Sequence, residues 1–205
     1  MTERELDLNE ANKNSYLNIP NIIATIATTV LALTALITVY LTITTWKIEQ
    51  EVARPYFVLR DSPRVTAGDE LSLEFKFSNV GIHPAVNFSS ETIIVDERLT
   101  EKPIHHDESA IVNEIPKDAA SSLIMNIPCQ ELYSEQTNIN THFVVVDLRY
   151  TDPILNKSYT QTIYMKWHGI KKGKIQPTVH VRVEERDKIL NYFSRQGIDL
   201  SACSQ

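Results

Sequence analysis

Glycine, cysteine and surplus basic charge are all scarce in this chain, and between Asn14 and Trp46 there is no Asp, Glu, Lys or Arg at all. Only five glycines occur in 205 residues, and none sits in a glycine-rich run, which excludes loops that cradle phosphates through backbone N–H groups. Two cysteines, Cys129 and Cys203, stand far apart, so neither a disulfide framework nor a Cys-x-x-Cys metal knuckle is present, and the usage suits a reducing compartment. A formal charge of -6 and a pI near 5.5 argue against a general nucleic-acid binder, and no nucleic-acid partner is expected. Only "KWHGIKKGK" (166–174) is locally basic.

What is there begins with the uncharged run. Read as a helix, Ile22 to Thr45 spans about 36 Å, enough for a hydrocarbon core of about 30 Å with some tilt. A single transmembrane span is expected, started by Asn18-Ile19-Pro20-Asn21 and flanked by Tyr16 and Trp46 at the two interfaces. The rival reading is a cleaved signal peptide, which the acidic leader "MTERELDLNE" and the length of the apolar stretch disfavour. Basic residues are denser after the span (Lys47, Arg54, Arg60, Arg64) than before it (Arg4, Lys13), which places the C-terminal side in the cytoplasm and the N-terminus outside. "NFS" (87–89) and "NKS" (156–158) match glycosylation acceptors and read equally well as turns.

The span is not plain leucine. At about 100° per residue, Ala24, Ala27, Thr28, Thr34, Ala35, Thr38, Thr42 and Thr45 fall on one side, and Ile22, Ile26, Leu33, Leu36, Ile37, Tyr40 and Ile43 on the other. Leu31 interrupts the small face, and Thr25 and Thr29 the bulky one. Small residues let helix backbones approach closely in lipid, so Ala27, Thr28, Thr34, Ala35, Thr38, Thr42 and Thr45 are the candidates for self-association into a homo-oligomer. The alternative is that each hydroxyl serves the carbonyl four residues back in its own helix.

Beyond the span, "KIEQEVAR" (47–54) prolongs the helix as a neck, and Pro55 ends it. Then "LSLEFKFS" alternates with a period of two, placing Leu71, Leu73, Phe75 and Phe77 on one face. "PYFVLR", "AVNFSS", "TIIVD", "SSLIMNI", "THFVVVDLRY", "YTQTIYMKW" and "TVHVRV" are further strands, and "YTDPILNKSY" (150–159) is the turn joining two long paired ones. The fold class is mainly β: an antiparallel immunoglobulin-like β-sandwich, with a small closed barrel as the alternative. "EERDKILNYFSRQG" (184–197) reads as a terminal amphipathic helix burying Ile189, Leu190 and Phe193, with Gly197 as its C-cap. The organisation is then an acidic tail (1–18), a membrane helix and neck (19–54), a sandwich (55–183), and a helix and tail (184–205).

Asn79-Val80-Gly81 closes an alternating strand, Pro84-Ala85 opens the next, Arg54-Pro55 follows the neck, and Tyr150 and Asp152 follow a late strand, an order of short motifs. Over roughly residues 20–167 it resembles small bacterial single-pass membrane proteins with an N-terminal transmembrane helix and a C-terminal immunoglobulin-like sandwich. The resemblance implies a bacterial inner membrane, and some proteins of this build resemble toxic or abortive-infection effectors of antiviral defence. On the residues alone, Gly81 is expected to supply a positive φ and Asn79 a side-chain bond to nearby backbone.

Little chemistry is visible. "HHDE" (105–108) gathers imidazoles and carboxylates, but adjacent residues of a strand face opposite ways, so His105 and His106 do not converge on one metal unless they lie in a loop. The stretch reads as a solvated acidic loop, and no cofactor, metal ligand or catalytic residue is assigned; a hydrolase or metal enzyme around His105, His106 and Asp107 is the least favoured class. Lys166, Lys171, Lys172 and Lys174 are candidates for touching anionic lipid or a partner, and the same stretch also reads as a solvated hairpin loop. The expectation is a non-enzymatic, membrane-anchored interaction or sensing protein whose sandwich binds a protein partner. The alternative is a membrane-disrupting effector acting through assembly of its helices.

Overall fold

The computed structural model describes residues 3–68, 70–100, 102–111, 113–128, 138–198 and 200, giving backbone alone for 3–19. Cys129 and Cys203 lie outside the described residues. The chain divides into two compact units, Met1–Val52 and Ala53–Gln205.

The first unit is essentially one helix, α1, which runs Glu3–Ala53. It does not start at Pro20 as the sequence suggested; Pro20 lies inside it. A mid-helix proline forfeits one hydrogen bond and crowds the carbonyl four residues back, but strong helix formers such as Glu3, Glu5, Leu6 and Ala11 carry the helix upstream of it. From Pro20 to Ala53 it is long and apolar enough to cross a membrane, and none of that apolar surface is buried inside the protein. Leu31, Leu36 and Tyr40 are each more than two-thirds exposed.

The second unit is built from two antiparallel sheets facing each other. In the smaller, β3 (Glu70–Asn79) is central: β1 (Phe57–Leu59) and β2 (Arg64–Ala67) pair with successive stretches of one edge, and β6 (Ala120–Pro128) covers the other. The larger holds β4 (Val86–Asp96), β5 (His105–Ile111), β7 (His142–Asp152), β8 (Lys157–Trp167) and β11 (Thr178–His180) in the order β11-β8-β7-β4-β5. A short hairpin, β9 (Ile170–Lys171) and β10 (Lys174–Ile175), precedes β11. The core between the sheets takes Leu71, Leu73, Phe75 and Phe77 from β3, all essentially inaccessible, against Ile94, Val144, Val146, Leu148 and Trp167 of the larger sheet. The period-two reading of β3 is thus correct, and two facing sheets, not a closed barrel, enclose the core.

A second apolar cluster lies on the outer face of the larger sheet. There Ile93, Val95, Phe143 and Val145 meet Ile189, Tyr192 and Phe193 of α2 (Val183–Gln196). Gly197 caps α2 at φ 70, its N–H reaching Phe193 and Ser194, as the sequence led us to expect. Leu190 does not join the buried face: residues 189, 192 and 193 make the i, i+3, i+4 stripe, and Leu190 remains 44% exposed. β7 is consequently buried on both faces, which explains its unbroken apolar run Phe143–Val146.

Three sequence expectations change. "AVNFSS" and "TIIVD" are one strand, β4; "TVHVRV" is extended only to His180 before α2 begins at Val183; and "HHDE" is the start of β5, paired with β4 from Ile94↔His105 to Phe88↔Ile111. The polar composition of "HHDE" suggested a loop, but an edge strand keeps one side toward water and tolerates it. The β7–β8 hairpin is as read. Asp152 Oδ1 accepts the N–H groups of Ile154 (2.8 Å) and Leu155 (3.1 Å), and Asn156 turns the chain at φ 50.

His142, nearly inaccessible and 6.0 Å from the Trp167 ring, is pushed below the ordinary histidine value of 6.5 mainly by burial, which penalises the imidazolium. Because the unfolded chain binds that proton more readily, the stability tied to a neutral His142 is present above pH 6.5 and lost as pH falls below it. Thermal melts read on tryptophan fluorescence should lose stability on acidification by at most about 1.4 kcal/mol per pH unit from this group. His142→Gln, which does not titrate, should flatten that acid limb; an unchanged slope refutes the assignment.

Candidate functional site

Three features of the second unit stand out: the turn that holds its start, a charged cluster on the larger sheet, and a groove along β8. Asn79 is fully buried, and its amide is saturated: Oδ1 accepts the N–H of Tyr56 (3.2 Å) and of Gly81 (3.0 Å), while Nδ2 donates to the carbonyls of His83 (2.9 Å) and Ile115 (3.2 Å). The Ala53 carbonyl accepts the N–H groups of Ile82 (3.1 Å) and His83 (2.8 Å), and the Tyr150 hydroxyl donates to the Pro55 carbonyl at 3.2 Å. Burial raises the Tyr150 phenol to about 12, so it stays a donor. Asp152, also inaccessible, bonds His83 Nδ1 at 2.7 Å, and the Arg54 guanidinium stacks 5.2 Å from the centre of the Tyr159 ring. The motifs Asn79-Val80-Gly81, Arg54-Pro55 and Tyr150/Asp152 therefore converge in space. Gly81 is required for a different reason from the one expected. It is not among the residues with positive φ; instead a Cβ there would collide with the Arg54 carbonyl oxygen and lie 2.7 Å from Pro55 Cα.

On the outer face of the larger sheet, cross-strand register assembles the charged cluster. Glu91 of β4 stands opposite Glu108 of β5 and Asp147 of β7, and His106 is two residues along β5. Glu91 Oε1 bonds His106 Nε2 at 2.8 Å, and Oε2 is paired with Arg149 Nη2. Arg149 Nε donates to Asp147 Oδ2 (3.0 Å), and Nη2 also to the Leu200 carbonyl (2.9 Å); Thr162 donates to Asp147 Oδ1 (2.7 Å). Burial raises the Asp147 carboxyl, opposed by the Thr162 hydrogen bond and by Arg149. Burial also works against the Arg149 charge, but the bonds to Glu91 and Asp147 outweigh it and hold the guanidinium above its usual value.

Among the described residues, Glu91, His106 and Glu108 form the group whose nitrogen and oxygen donors lie close enough, within 4.8 Å of one another, to surround a cation. Both Glu91 oxygens are already engaged inside the network. His105 and Asp107 point to the other face of β5 and do not join, so the trio His105, His106 and Asp107 is not a unit. Glu91 was missed because only the β4–β5 register brings it to His106.

The groove follows the edge of the larger sheet. β8 is paired with β7 over its whole length but with β11 only from Met165 to Trp167. Among the described residues, no strand covers Lys157–Ile163 on that side. The Gln161 amide reaches across to β1 in the other sheet, accepting the Phe57 N–H (3.2 Å) and donating to the Phe57 carbonyl (2.5 Å). Beside this bridge lies an open groove of about 480 Å³, lined by residues 56–59 and 161–164 and by His180, Arg182 and Arg186 among others.

Residues 22–171 match the family described as Domain of unknown function (DUF8453). The chain belongs to this family. No curated protein matches it. Among solved structures it is similar to beta-glucosidase 3B from Thermotoga neapolitana in complex with alpha-D-glucose, at 15% identity and a TM-score of 0.30 over 62% of this chain and 17% of that one. DesR, a beta-glucosidase from Streptomyces venezuelae, matches at 11% identity and 0.29 over 62% and 15% of the two chains. A beta-glucuronidase from glycoside hydrolase family 2 matches at 15% and 0.29 over 55% and 11%. The chain thus spans no more than 17% of these enzymes, and likeness at this level assigns no activity.

The DUF8453 match runs from the apolar helix to β9, so it holds the Asn79 turn and the charged cluster but not the His180–Arg186 part of the groove. It also holds every residue of the small helix face. Thr34, Thr38 and Thr42 each donate to the carbonyl four residues back at 2.8 Å, and Thr28 bonds Ala24 in the same way. Their hydroxyls are satisfied within α1, as the alternative reading held; close approach over Ala27, Ala35 and the threonine methyls rests on size alone. Lys166 is set apart from the other lysines: its ammonium is paired with Glu97 (2.7 Å) and Glu185 (2.8 Å), bonds that hold it above its ordinary pKa, the Glu185 bond first. Lys171, Lys172 and Lys174 share the exposed β9–β10 hairpin, turned by Lys172 (φ 51) and Gly173 (φ 72).

Asn79→Ala should lower stability by about 2 kcal/mol, because it removes four hydrogen bonds at a fully buried position and leaves the buried Gly81 N–H without its acceptor. Gly81→Ala should cost at least as much, through the clash with Arg54 and Pro55, whereas Gly173→Ala, with open space around it, should lose only the strain of its positive φ. Chemical denaturation of the three variants checks the order.

Proposed function

We propose that this chain is a non-enzymatic, single-pass membrane protein, N-terminus outside and sandwich in the cytoplasm, whose sandwich binds a protein partner and whose helix self-associates through its small face. One observation carries the anchoring: Pro20–Ala53 is long and apolar enough to span and has no cover within the protein, an arrangement unfavourable in water and at home in lipid. The same helix continues unbroken through Lys47–Ala53 with no short h-region to end it, which supports an anchor over a signal sequence. Lys47, Arg54, Arg60 and Arg64 support the cytoplasmic placement. Partner binding is supported by the open groove described above.

Anchoring predicts that the full-length chain, with an intact N-terminus by mass, stays in membranes through alkaline carbonate extraction. An impermeant thiol reagent should miss Cys129 and Cys203 in intact cells and label them after lysis. A shortened, soluble product refutes the anchor, and labelling of intact cells refutes the orientation.

For the helix face, single cysteines walked from Thr34 to Thr45, in a background lacking the native pair, should crosslink at Thr34, Thr38, Thr42 and Thr45 and not at Leu36 or Tyr40. Uniform or absent crosslinking makes the span a plain anchor. Growth arrest on overproduction that disappears with Thr34→Leu or Thr38→Leu favours the membrane-disrupting effector instead.

A further inference from the structure

We infer that the groove between β1 and the uncovered half of β8 binds an extended, acidic segment of a partner protein by adding it as a strand to β8. The inference rests on the partner-binding reading above and names its surface and ligand chemistry.

The argument starts from backbone accounting. In an antiparallel sheet, N–H and C=O groups of alternate residues point to the same edge. The Tyr164 carbonyl accepts the Val181 N–H at 3.3 Å on the β11 side, so Thr162 and Thr160 direct their backbone groups to that edge as well. There β11 has already ended, and no described strand continues it. Chains usually protect such an edge with proline, a bulge or an inward-facing charge. Lys157–Tyr164 contains no proline, its ladder with β7 is free of register shifts, and its inward-facing residues Tyr159, Gln161 and Ile163 are uncharged. The edge stays straight and receptive over about 13 Å from Ser158 to Thr162, room for four or five residues of added strand.

Gln161 has a part in keeping it open. By bonding both backbone groups of Phe57, its amide holds β1 to β8 through a side chain and leaves the backbone edge of β8 unused. The walls above are part apolar, with Tyr56 45% and Val183 62% exposed, which gives alternate side chains of a bound strand surface to rest on. Charge decides the partner. The lining carries Arg182, His180 and Arg186, which also pairs with the exposed Asp187 at 3.2 Å, and it holds no carboxylate, although the whole chain is acidic at -6. A local cationic rim on an acidic protein selects an acidic segment and repels a basic one.

The test uses the full-length chain in detergent or nanodiscs and a fluorescein-labelled, end-blocked hexapeptide of alternating Val and Glu, read by anisotropy. The acidic peptide should bind, and its Val/Lys counterpart should bind at least tenfold more weakly. N-methylation of alternate residues on one edge of the acidic peptide should abolish binding, while N-methylation of the other set should leave it within about twofold, because only one edge meets β8. Arg182→Glu with Arg186→Glu, both at exposed positions, should weaken the acidic peptide tenfold or more and reverse the preference. Equal binding of acidic and basic peptides, indifference to which edge is methylated, or no binding overturns the inference. The two readings fail separately: a photo-crosslinker at exposed Ser122 on β6 that captures a protein in cells, with none captured from Thr160, removes the groove and keeps a partner, whereas no capture from either position removes the partner reading as well.

Discussion

The larger sheet is dry on both faces along β4 and β7, and most of the second unit follows from that. Inward, Ile94, Val144, Val146 and Leu148 face the smaller sheet; outward, Ile93, Val95, Phe143 and Val145 need a second cover, which α2 supplies. Antiparallel sheets commonly leave one face to water, so two-sided burial makes α2 part of the core and not an appendage. Where the cover of α2 runs out, the outward side chains of the same strands change character. Phe143 and Val145 give way to Asp147 and Arg149 along β7, and Val95 and Ile93 give way to Glu91 along β4. The charges stranded at that boundary are paired with one another and with the Leu200 carbonyl, which avoids leaving any of them buried alone.

The start of the second unit obeys a related constraint. Ala53–Tyr56 leaves a helix and enters a sheet, so its backbone groups have no regular partners, and burying them unpaired is costly. Asn79 answers for the Tyr56 N–H, Tyr150 for the Pro55 carbonyl, and the 82–83 backbone for the Ala53 carbonyl. Gly81 is what lets these strands come close enough. These residues lie within the stretch that matches DUF8453, and their bonds are spent on holding the turn together.

Two surfaces of the described residues are left uncovered by their own chain. α1 leaves an apolar cylinder without protein cover, and β8 leaves half a sheet edge without a strand. The first suits lipid and a second helix; the second suits an extended chain. The charged cluster around Glu91, by contrast, is already satisfied internally, and its geometry serves to hold the end of the chain beyond α2.

Features encoded by neighbours along the chain were legible from residues alone: the apolar helix and its neck to Ala53, the alternation of β3, the β7–β8 hairpin with Asp152 and Asn156, and α2 with its Gly197 cap. Each depends on helical or strand periodicity, or on a turn residue acting within a few positions. The continuation of α1 upstream of Pro20, the conversion of "HHDE" into an edge strand, the burial of Tyr192 in place of Leu190 and the steric role of Gly81 were not legible. Nor was the meeting of Glu91 with His106 and Arg149, or the free edge of β8. Those were decided by register and by which strand ends first, and both are set by long-range pairing energies: a slip of one residue would turn every side chain of a strand to the opposite face while leaving its local sequence unchanged.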